Sequence, residues 1–199
     1  MFPASDACLI FRGGDEMKST QELMNEHEGI QVMLGILQSV TNMIVAGDSV
    51  PKKELEGIME FLTVFVDTCH HGKEEDFLFP ALEAAGVARD GGQIGVMLHE
   101  HERGRRHIAD MKNALGDFSV RGIKTDAFRN AVEEYVSLLN QHIFKENNVL
   151  FPMAEKILSV DDDNKLYENF EKLEIERIGL GKHEEFHALM DALSKKSKN

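Results

Sequence analysis

Histidine and glutamate occur twice in this 199-residue chain in the same pattern. In each copy a histidine is followed four residues later by a glutamate, and the tripeptide Leu-Phe-Pro begins four residues after that glutamate. A single histidine also precedes each pair, by 43 residues in the first copy and by 41 in the second. The six residues of this internal repeat are His27, His70, Glu74, His101, His142 and Glu146.

This spacing has a chemical meaning on a helix, because residues four positions apart lie on the same face. A histidine and a glutamate placed in this way can point at one metal ion, or at two ions bridged by the carboxylate. A mixed set of imidazole and carboxylate ligands favours iron, and six ligands exceed the four of a closed zinc site. A solvated contact within the helix is the alternative for one such pair. The repetition favours a dinuclear metal centre.

Four segments must position these residues, and their apolar side chains recur every three or four positions. This period predicts four amphipathic helices with the six residues on the buried faces. Ser19 and Glu22 form a capping box that predicts the start of the first helix, and Pro80 and Pro152 are expected to kink or interrupt theirs. The predicted helices begin at Ser19 and end before Gly47, begin at Pro51, run from about Gln93 to Leu115, and begin near Thr125.

A glutamate on a buried face indicates a nearby positive charge, because an ionised carboxylate without a partner is strongly destabilising inside a protein. A bound cation would supply that charge. By contrast, His71, Glu75 and Asp76 fall off the buried stripe of the second helix and are expected beside the site or in solvent. Cys69 is interpreted as a small buried apolar residue.

Two further helices are predicted after residue 158. An acidic turn, residues 161–164, is a favourable start for a charged fifth helix that ends near Ile178. The sixth carries His183 and His187 on the same edge as the apolar Phe186. Either these histidines are polar residues of a covering helix, or one of them completes the metal site.

Composition limits the remaining function classes. The net charge is −13 and the sequence pI is about 5.1, which argues against nucleic acid and anionic membranes as partners. No run of 18 apolar residues predicts a membrane span. Cys8 and Cys69 lack the spacing of a disulfide framework, so a reducing, cytoplasmic environment is expected. The predicted organisation is an N-terminal extension over residues 1–17, a helical domain over 18–158 and a C-terminal helical extension over 159–199.

With the repeat and its helices in place, the chain is similar to the hemerythrin-like, HHE-type cation-binding family over residues 18–158. The resemblance rests on His27, His70-x-x-x-Glu74, His101 and His142-x-x-x-Glu146, with Leu-Phe-Pro after each pair. It implies an all-α fold, an antiparallel up-down four-helix bundle with two additional C-terminal helices here. It also implies a centre of two iron ions bridged by the two carboxylates and an oxo or hydroxo group.

Two positions depart from the oxygen-carrying members of that family. Those proteins have a second histidine four residues from the one on the third helix, whereas His101 has Met97 and Arg105 at these distances. Their last carboxylate is an aspartate five residues after the fourth-helix histidine, whereas Glu146 follows His142 by four. Both changes argue against reversible oxygen carriage, and they motivate the hypothesis that His183 or His187 replaces the missing ligand.

The resemblance leaves three functions to compare. The first is a di-iron protein that binds or senses a small diatomic molecule, O2 or NO. The second is a di-iron enzyme, an oxidase, a peroxidase or an NO-handling reductase, although no separate acid or nucleophile indicates a particular reaction. The third is an iron store, or an iron donor for the repair of iron–sulfur clusters.

Overall fold

The computed structural model describes residues 17–116, 123–179 and 181–196, and within these ranges the chain forms six helices and no strand. The predicted all-α class is therefore confirmed. The predicted N-terminal extension lies, apart from Met17, outside the described residues. The helices are α1 Lys18–Ala46, α2 residues 52–84, α3 Gln93–Leu115, α4 residues 125–157, α5 Val160–Arg177 and α6 Lys182–Lys196.

Helices α2 and α4 widen into π-helical turns at their glutamates. The π segments are Phe61–His70, Glu74–Leu78 and Glu146–Leu150. The N–H of Phe79 donates to the carbonyl of Glu74, and the N–H of Phe151 donates to that of Glu146, in each case five residues back. Single π turns of this kind are rare and occur frequently at functional sites.

The sequence predicted a kink or an interruption at Pro80 and at Pro152, and both helices continue past their proline without an interruption. Each proline lies in the first turn of the α-helical segment that follows the π turn. In a regular α-helix the proline ring would clash with the carbonyl four residues earlier. We attribute the continuity of both helices to the wider π turn, which relieves this clash.

The apolar core is divided into two clusters. One contains Ile30, Val66 and Leu139, and the other contains Leu23 and Leu150. Along α1, α2 and α3 the residues of the histidine and glutamate repeat lie between the positions that belong to the two clusters, and on α4 Glu146 does so as well. The repeat therefore forms a polar layer inside the protein with apolar side chains on both sides.

By length and composition alone, α1 could cross a membrane, and in the described part of the chain it is the one helix for which this holds. Its side chains at Ile30, Leu34 and Leu37 are buried in the core. This core position accounts for its apolar composition.

The start of α1 differs from the prediction. Met17 precedes the helix without a side-chain cap, so the predicted capping box of Ser19 and Glu22 is not formed. Instead, the carboxylate of Asp163 on α5 accepts hydrogen bonds from the backbone N–H groups of Lys18, at 3.0 Å, and Ser19, at 2.9 Å. A carboxylate from a distant helix thus accepts hydrogen bonds from first-turn N–H groups that have no partner within α1.

The two C-terminal helices pack against the preceding ones. Ser159 begins α5 with a capping box to Asp162, slightly before the predicted acidic turn. Phe186 on α6 contacts Phe61 and Phe65 on α2 edge-to-face, with ring centroids 5.3 and 6.1 Å apart. Helix α6 therefore covers the part of α2 that lies before the polar layer.

Candidate metal centre

Four imidazole rings meet in two pairs at the centre of the polar layer. Nε2 of His27 lies 3.0 Å from Nε2 of His70, and Nε2 of His101 lies 3.1 Å from Nε2 of His142. All four side chains are at most 1% exposed. The two histidines of each pair lie on different helices. They are 43 residues apart in the first pair and 41 in the second, which are the intervals noted in the sequence repeat.

The carboxylate of Glu146 spans the two pairs. One of its oxygens lies 3.1 Å from Nε2 of His27, and the other lies 3.1 Å from Nε2 of His142. The two oxygens thus face one histidine of each pair, which is the arrangement that a carboxylate bridging two ions requires.

Glu74 is placed in the complementary way. Its oxygens lie 3.9 Å from Nε2 of His70 and 3.4 Å from Nε2 of His101. The side chains of Glu74 and Glu146 are fully buried, and among the described residues none of their four oxygens has a hydrogen-bond partner. Buried oxygens normally have such partners. A cation bound between these oxygens and the imidazole nitrogens that they face would take the place of the hydrogen bonds.

The six residues form two overlapping sets of four potential ligands, and the two glutamates belong to both sets. In each set the ligand atoms lie within 4.8 Å of one another. This donor set, with two imidazoles and two carboxylates for each position, fits a pair of transition-metal ions. The sets are His27, His70, Glu74 and Glu146, and Glu74, His101, His142 and Glu146.

The outer nitrogens of His70 and His142 are held by equivalent residues in the two halves. Nδ1 of His70 donates to Glu26 at 2.8 Å, and Nδ1 of His142 donates to Glu100 at 3.1 Å. Each glutamate directly precedes the single histidine of its half in the sequence. Such contacts orient Nε2 toward a metal and increase the basicity of the ligand.

The outer nitrogens of the two single histidines are held across the halves. Nδ1 of His101 donates to Glu75 at 2.7 Å, and Nδ1 of His27 donates to Asn147 Oδ1 at 2.7 Å. Glu75 and Asn147 each directly follow the glutamate of their repeat. Glu75 therefore lies beside the site, as predicted, and the two halves differ in charge at this position.

The pKa values of the buried glutamates and of His142 show that the polar layer favours bound positive charge. Burial and the negative charge of Glu146 raise the pKa of Glu74 to about 8. Burial alone would lower the pKa of His142, but Glu146 and Glu100 raise it to about 10. The pKa of Glu146 is well below its usual range because, although burial opposes this, His142 and His27 lie beside it. The two carboxylates thus attract cations, either protons or metal ions.

His71 lies beside the site, which is one of the two positions predicted for it. It is only 3% exposed, and its ring stacks on that of His101 with centroids 3.9 Å apart. Burial, together with His101, His142 and His70, lowers its pKa well below the usual value, which favours the neutral ring. The signal available in the sequence was its position next to His70.

The two C-terminal histidines were predicted as candidate metal ligands. His187 lies on α6 with an exposed side chain, and it belongs to neither set of potential ligands among the described residues. The side chain of His183 lies outside the described part of the structure. Helix α6 packs on Phe61 and Phe65 of α2, and the replacement of the missing third-helix histidine by His183 or His187 stays a prediction.

Comparison with known proteins agrees with this geometry. The model of the hemerythrin HHE cation-binding domain matches residues 18–154 of the chain. The match contains all six residues of the repeat.

The curated relatives are similar at moderate identity. An uncharacterized protein of Mycobacterium tuberculosis is 26% identical over 162 residues, which are 80% of this chain and 62% of the relative. The iron-sulfur cluster repair protein YtfE of Dickeya chrysanthemi is 33% identical over 103 residues, 49% of this chain and 47% of the relative. The YtfE protein of Escherichia coli O1:K1 is 31% identical over 111 residues, which are 53% of this chain and 49% of the relative. The chain thus spans between about half and three-fifths of the length of these relatives.

Proposed function

This chain belongs to the hemerythrin HHE cation-binding domain family, and we propose that it is a di-iron protein that binds or senses a small diatomic ligand, O2 or NO. The proposal is supported above all by one observation. Two pairs of imidazoles face two buried carboxylates whose oxygens have no hydrogen-bond partner within residues 17–116, 123–179 and 181–196. The residues that would hold the two ions are His27, His70, His101 and His142 as terminal ligands and Glu74 and Glu146 as bridges.

The proposed architecture is an antiparallel up-down four-helix bundle of α1 to α4. Short connections support it, since residues 47–51 join α1 to α2 and residues 85–92 join α2 to α3. Contacts between α3 and α4 and between α1 and α4 support it as well. Bundles of this kind build metal sites from side chains on facing helices.

Bound iron would supply redox chemistry and an open coordination position for the small ligand. The residues of this chain supply the surroundings. Ile30, Leu62, Val66 and Leu139 are at most 2% exposed and would exclude water from the region next to the site. Phe77 on α2 is half-buried and contacts Phe170 on α5.

Anaerobic titration with ferrous iron tests this function. The unmodified protein should bind two irons per chain, and its optical spectrum should change on addition of NO or air. Glu74→Gln and Glu146→Gln should each retain at most one iron, because each loses a bridging carboxylate. Glu102→Gln, an exposed position on α3 next to His101, is the matched control and should retain both. Fewer than two irons in the unmodified protein would contradict the proposal.

Iron donation for cluster repair is the second candidate, and the names of the YtfE relatives favour it. The described cysteine does not add to this case, because Cys69 is buried and burial raises the pKa of its thiol to about 12. Cys8 lies outside the described residues. Transfer of iron from the loaded protein to an apo iron–sulfur protein would favour donation, whereas a spectrum that returns to its starting form when the gas is removed would favour binding or sensing.

Consumption of O2 or peroxide with multiple turnovers would instead assign an enzyme. We propose a cytoplasmic location for all three cases, supported by the free thiol of Cys69.

A further inference from the structure

His71 extends from α2 toward the histidines of the second half of the repeat. Its ring lies parallel to that of His101, at an interplanar angle of 15°, and edge-on to that of His142, with centroids 5.7 Å apart. Its Nε2 atom is buried and has no hydrogen-bond partner in the described part of the chain. Buried polar atoms without a partner are rare in folded proteins, so this nitrogen requires an explanation.

The other ring nitrogen of His71 has the surroundings of a metal-binding histidine. Its Nδ1 lies 3.5 Å from the carboxylate of Asp67, one turn earlier on α2. That carboxylate is itself held by Arg105, whose Nε donates to it at 2.8 Å. A carboxylate beside Nδ1 leaves the Nε2 lone pair available to an ion, as at His70, His101 and His142.

We propose that His71 is a third imidazole ligand for the metal position formed by His101 and His142. The potential ligand atoms of these three residues lie within 4.8 Å of one another, and all three side chains are buried. A metal ion lies in the plane of each imidazole that binds it, so the His71 ring must turn out of its parallel stack on His101 to direct Nε2 at the ion held by His101 and His142. This inference rests on the proposed di-iron function and names a further ligand for it.

The internal repeat supplies a comparison position for this ligand. Ile143 follows His142 as His71 follows His70, and it is buried but carries no ligand atom. The two metal positions are therefore unequal, with three imidazoles at one and two at the other. The open coordination position for a small ligand then lies at the ion held by His27 and His70.

The inference also accounts for the departure from the oxygen-carrying proteins noted in the sequence. There the third helix supplies two histidines, whereas here it supplies only His101. His71 provides the additional imidazole from the second helix, so neither His183 nor His187 is needed for it.

The first test counts bound imidazoles in the unmodified protein. The protein is loaded with Zn²⁺ as a diamagnetic probe, and long-range nitrogen–proton NMR spectra identify which histidine Nε2 atoms bind metal. Five metal-bound imidazoles, including the one that disappears in His71→Ile, are expected. Two bound ions with only four metal-bound imidazoles would overturn the role of His71 and leave the proposed function intact. Failure to bind two ions with either Fe²⁺ or Zn²⁺ would overturn both.

The second test uses a substitution that the repeat itself suggests. His71→Ile copies the residue at the equivalent position and should fold, as checked by its circular dichroism. Its affinity for one of the two ferrous ions should fall by at least about tenfold, the lower end of the effect of losing a supporting residue, while the other ion stays bound. His99→Ile changes an exposed histidine on α3 and should leave both affinities unchanged. Equal affinities in His71→Ile and the unmodified protein would contradict the inference.

Discussion

At the scale of single residues, three carboxylates and one amide determine how the imidazoles point. Each of the four inward histidines donates its Nδ1 proton to one of them, at distances between 2.7 and 3.1 Å. These contacts leave the four Nε2 lone pairs directed at the centre of the polar layer. The four residues that accept these protons are Glu26, Glu75, Glu100 and Asn147. In other proteins, mutation of a residue that holds a metal-binding histidine changes metal affinity by roughly 10–100-fold.

Glu26 also makes the stability of the metal-free protein depend on pH. Burial opposes ionisation, but hydrogen bonds from His70 and Lys73 lower its pKa to about 2. A carboxylate whose pKa is lower in the folded state stabilises the protein above its ordinary pKa of 4.5. We expect the free energy of unfolding to fall by up to about 3 kcal/mol as the pH decreases from 4.5 toward 2.

Urea unfolding of the chelator-treated protein between pH 5 and pH 3 measures this effect. Glu26→Gln should lose less stability over that range than the unmodified protein, because it has no proton to gain at this position. Glu28→Gln, at an exposed position on the same helix, should follow the unmodified protein. Parallel curves for the unmodified protein and Glu26→Gln would exclude Glu26 as the source.

At the scale of helices, the π turns position both the glutamates of the repeat and the aromatic rings that pack on its histidines. The turns that begin at Glu74 and Glu146 also place Phe79 and Phe151. Phe79 stacks on the ring of His101 with centroids 5.9 Å apart, and Phe151 stacks on the ring of His27 at 5.6 Å. Each half of the repeat therefore supplies an aromatic wall for a histidine of the other half.

The first turn of α1 depends on α5 in the same non-local way. Asp163 accepts two backbone N–H groups and the Ser19 hydroxyl, the latter at 2.6 Å. Asp163→Ala should lower the free energy of unfolding by about 1–2 kcal/mol, the usual effect of losing a helix cap, as measured by urea unfolding. Asp163→Asn keeps an acceptor oxygen and should recover part of the loss, while the exposed Asp161→Ala should have little effect. An unchanged Asp163→Ala protein would show that the cap does not contribute.

At the scale of the whole molecule, helix α5 makes the two halves of the repeat unequal. Lys73 in the first half is completely buried between α1 and α5, where it contacts Glu22, Glu26 at 2.6 Å and Glu174 at 3.4 Å. The equivalent Lys145 is 31% exposed and pairs with Glu100. The first half is therefore closed to solvent at this lysine by the C-terminal helices.

These two lysines provide a matched pair of substitutions. Lys73→Met should lower the free energy of unfolding by about 3–5 kcal/mol, because it leaves buried carboxylates without their cation. Lys145→Met should lower it by about 1 kcal/mol or less, since water can solvate its partner. Chemical denaturation of both variants compares them directly. Similar losses in the two would show that α5 does not seal the first half.

The sequence alone predicted the helices and the six residues of the repeat, because the signals involved are local or periodic. The predicted third helix, Gln93 to Leu115, has those bounds in the structure, and α1 ends at Ala46 before Gly47, as its turn signal indicated. Gly47 adopts a φ of 87°, which glycine tolerates better than other residues. Spacing of three and four also placed the six histidines and glutamates of the repeat on buried faces, since it requires only a regular helix.

The tertiary structure decided what depends on neighbouring helices. Periodicity ranks residues by their angle about one helix axis, and by that measure His71 lay off the buried stripe. It is buried because α3 lies along that flank of α2 and brings His101 against it. The same reason applies to Lys73 and Asp163, whose partners are as many as 101 and 145 residues away in the chain. No local pattern specifies which distant helix covers a given side of another.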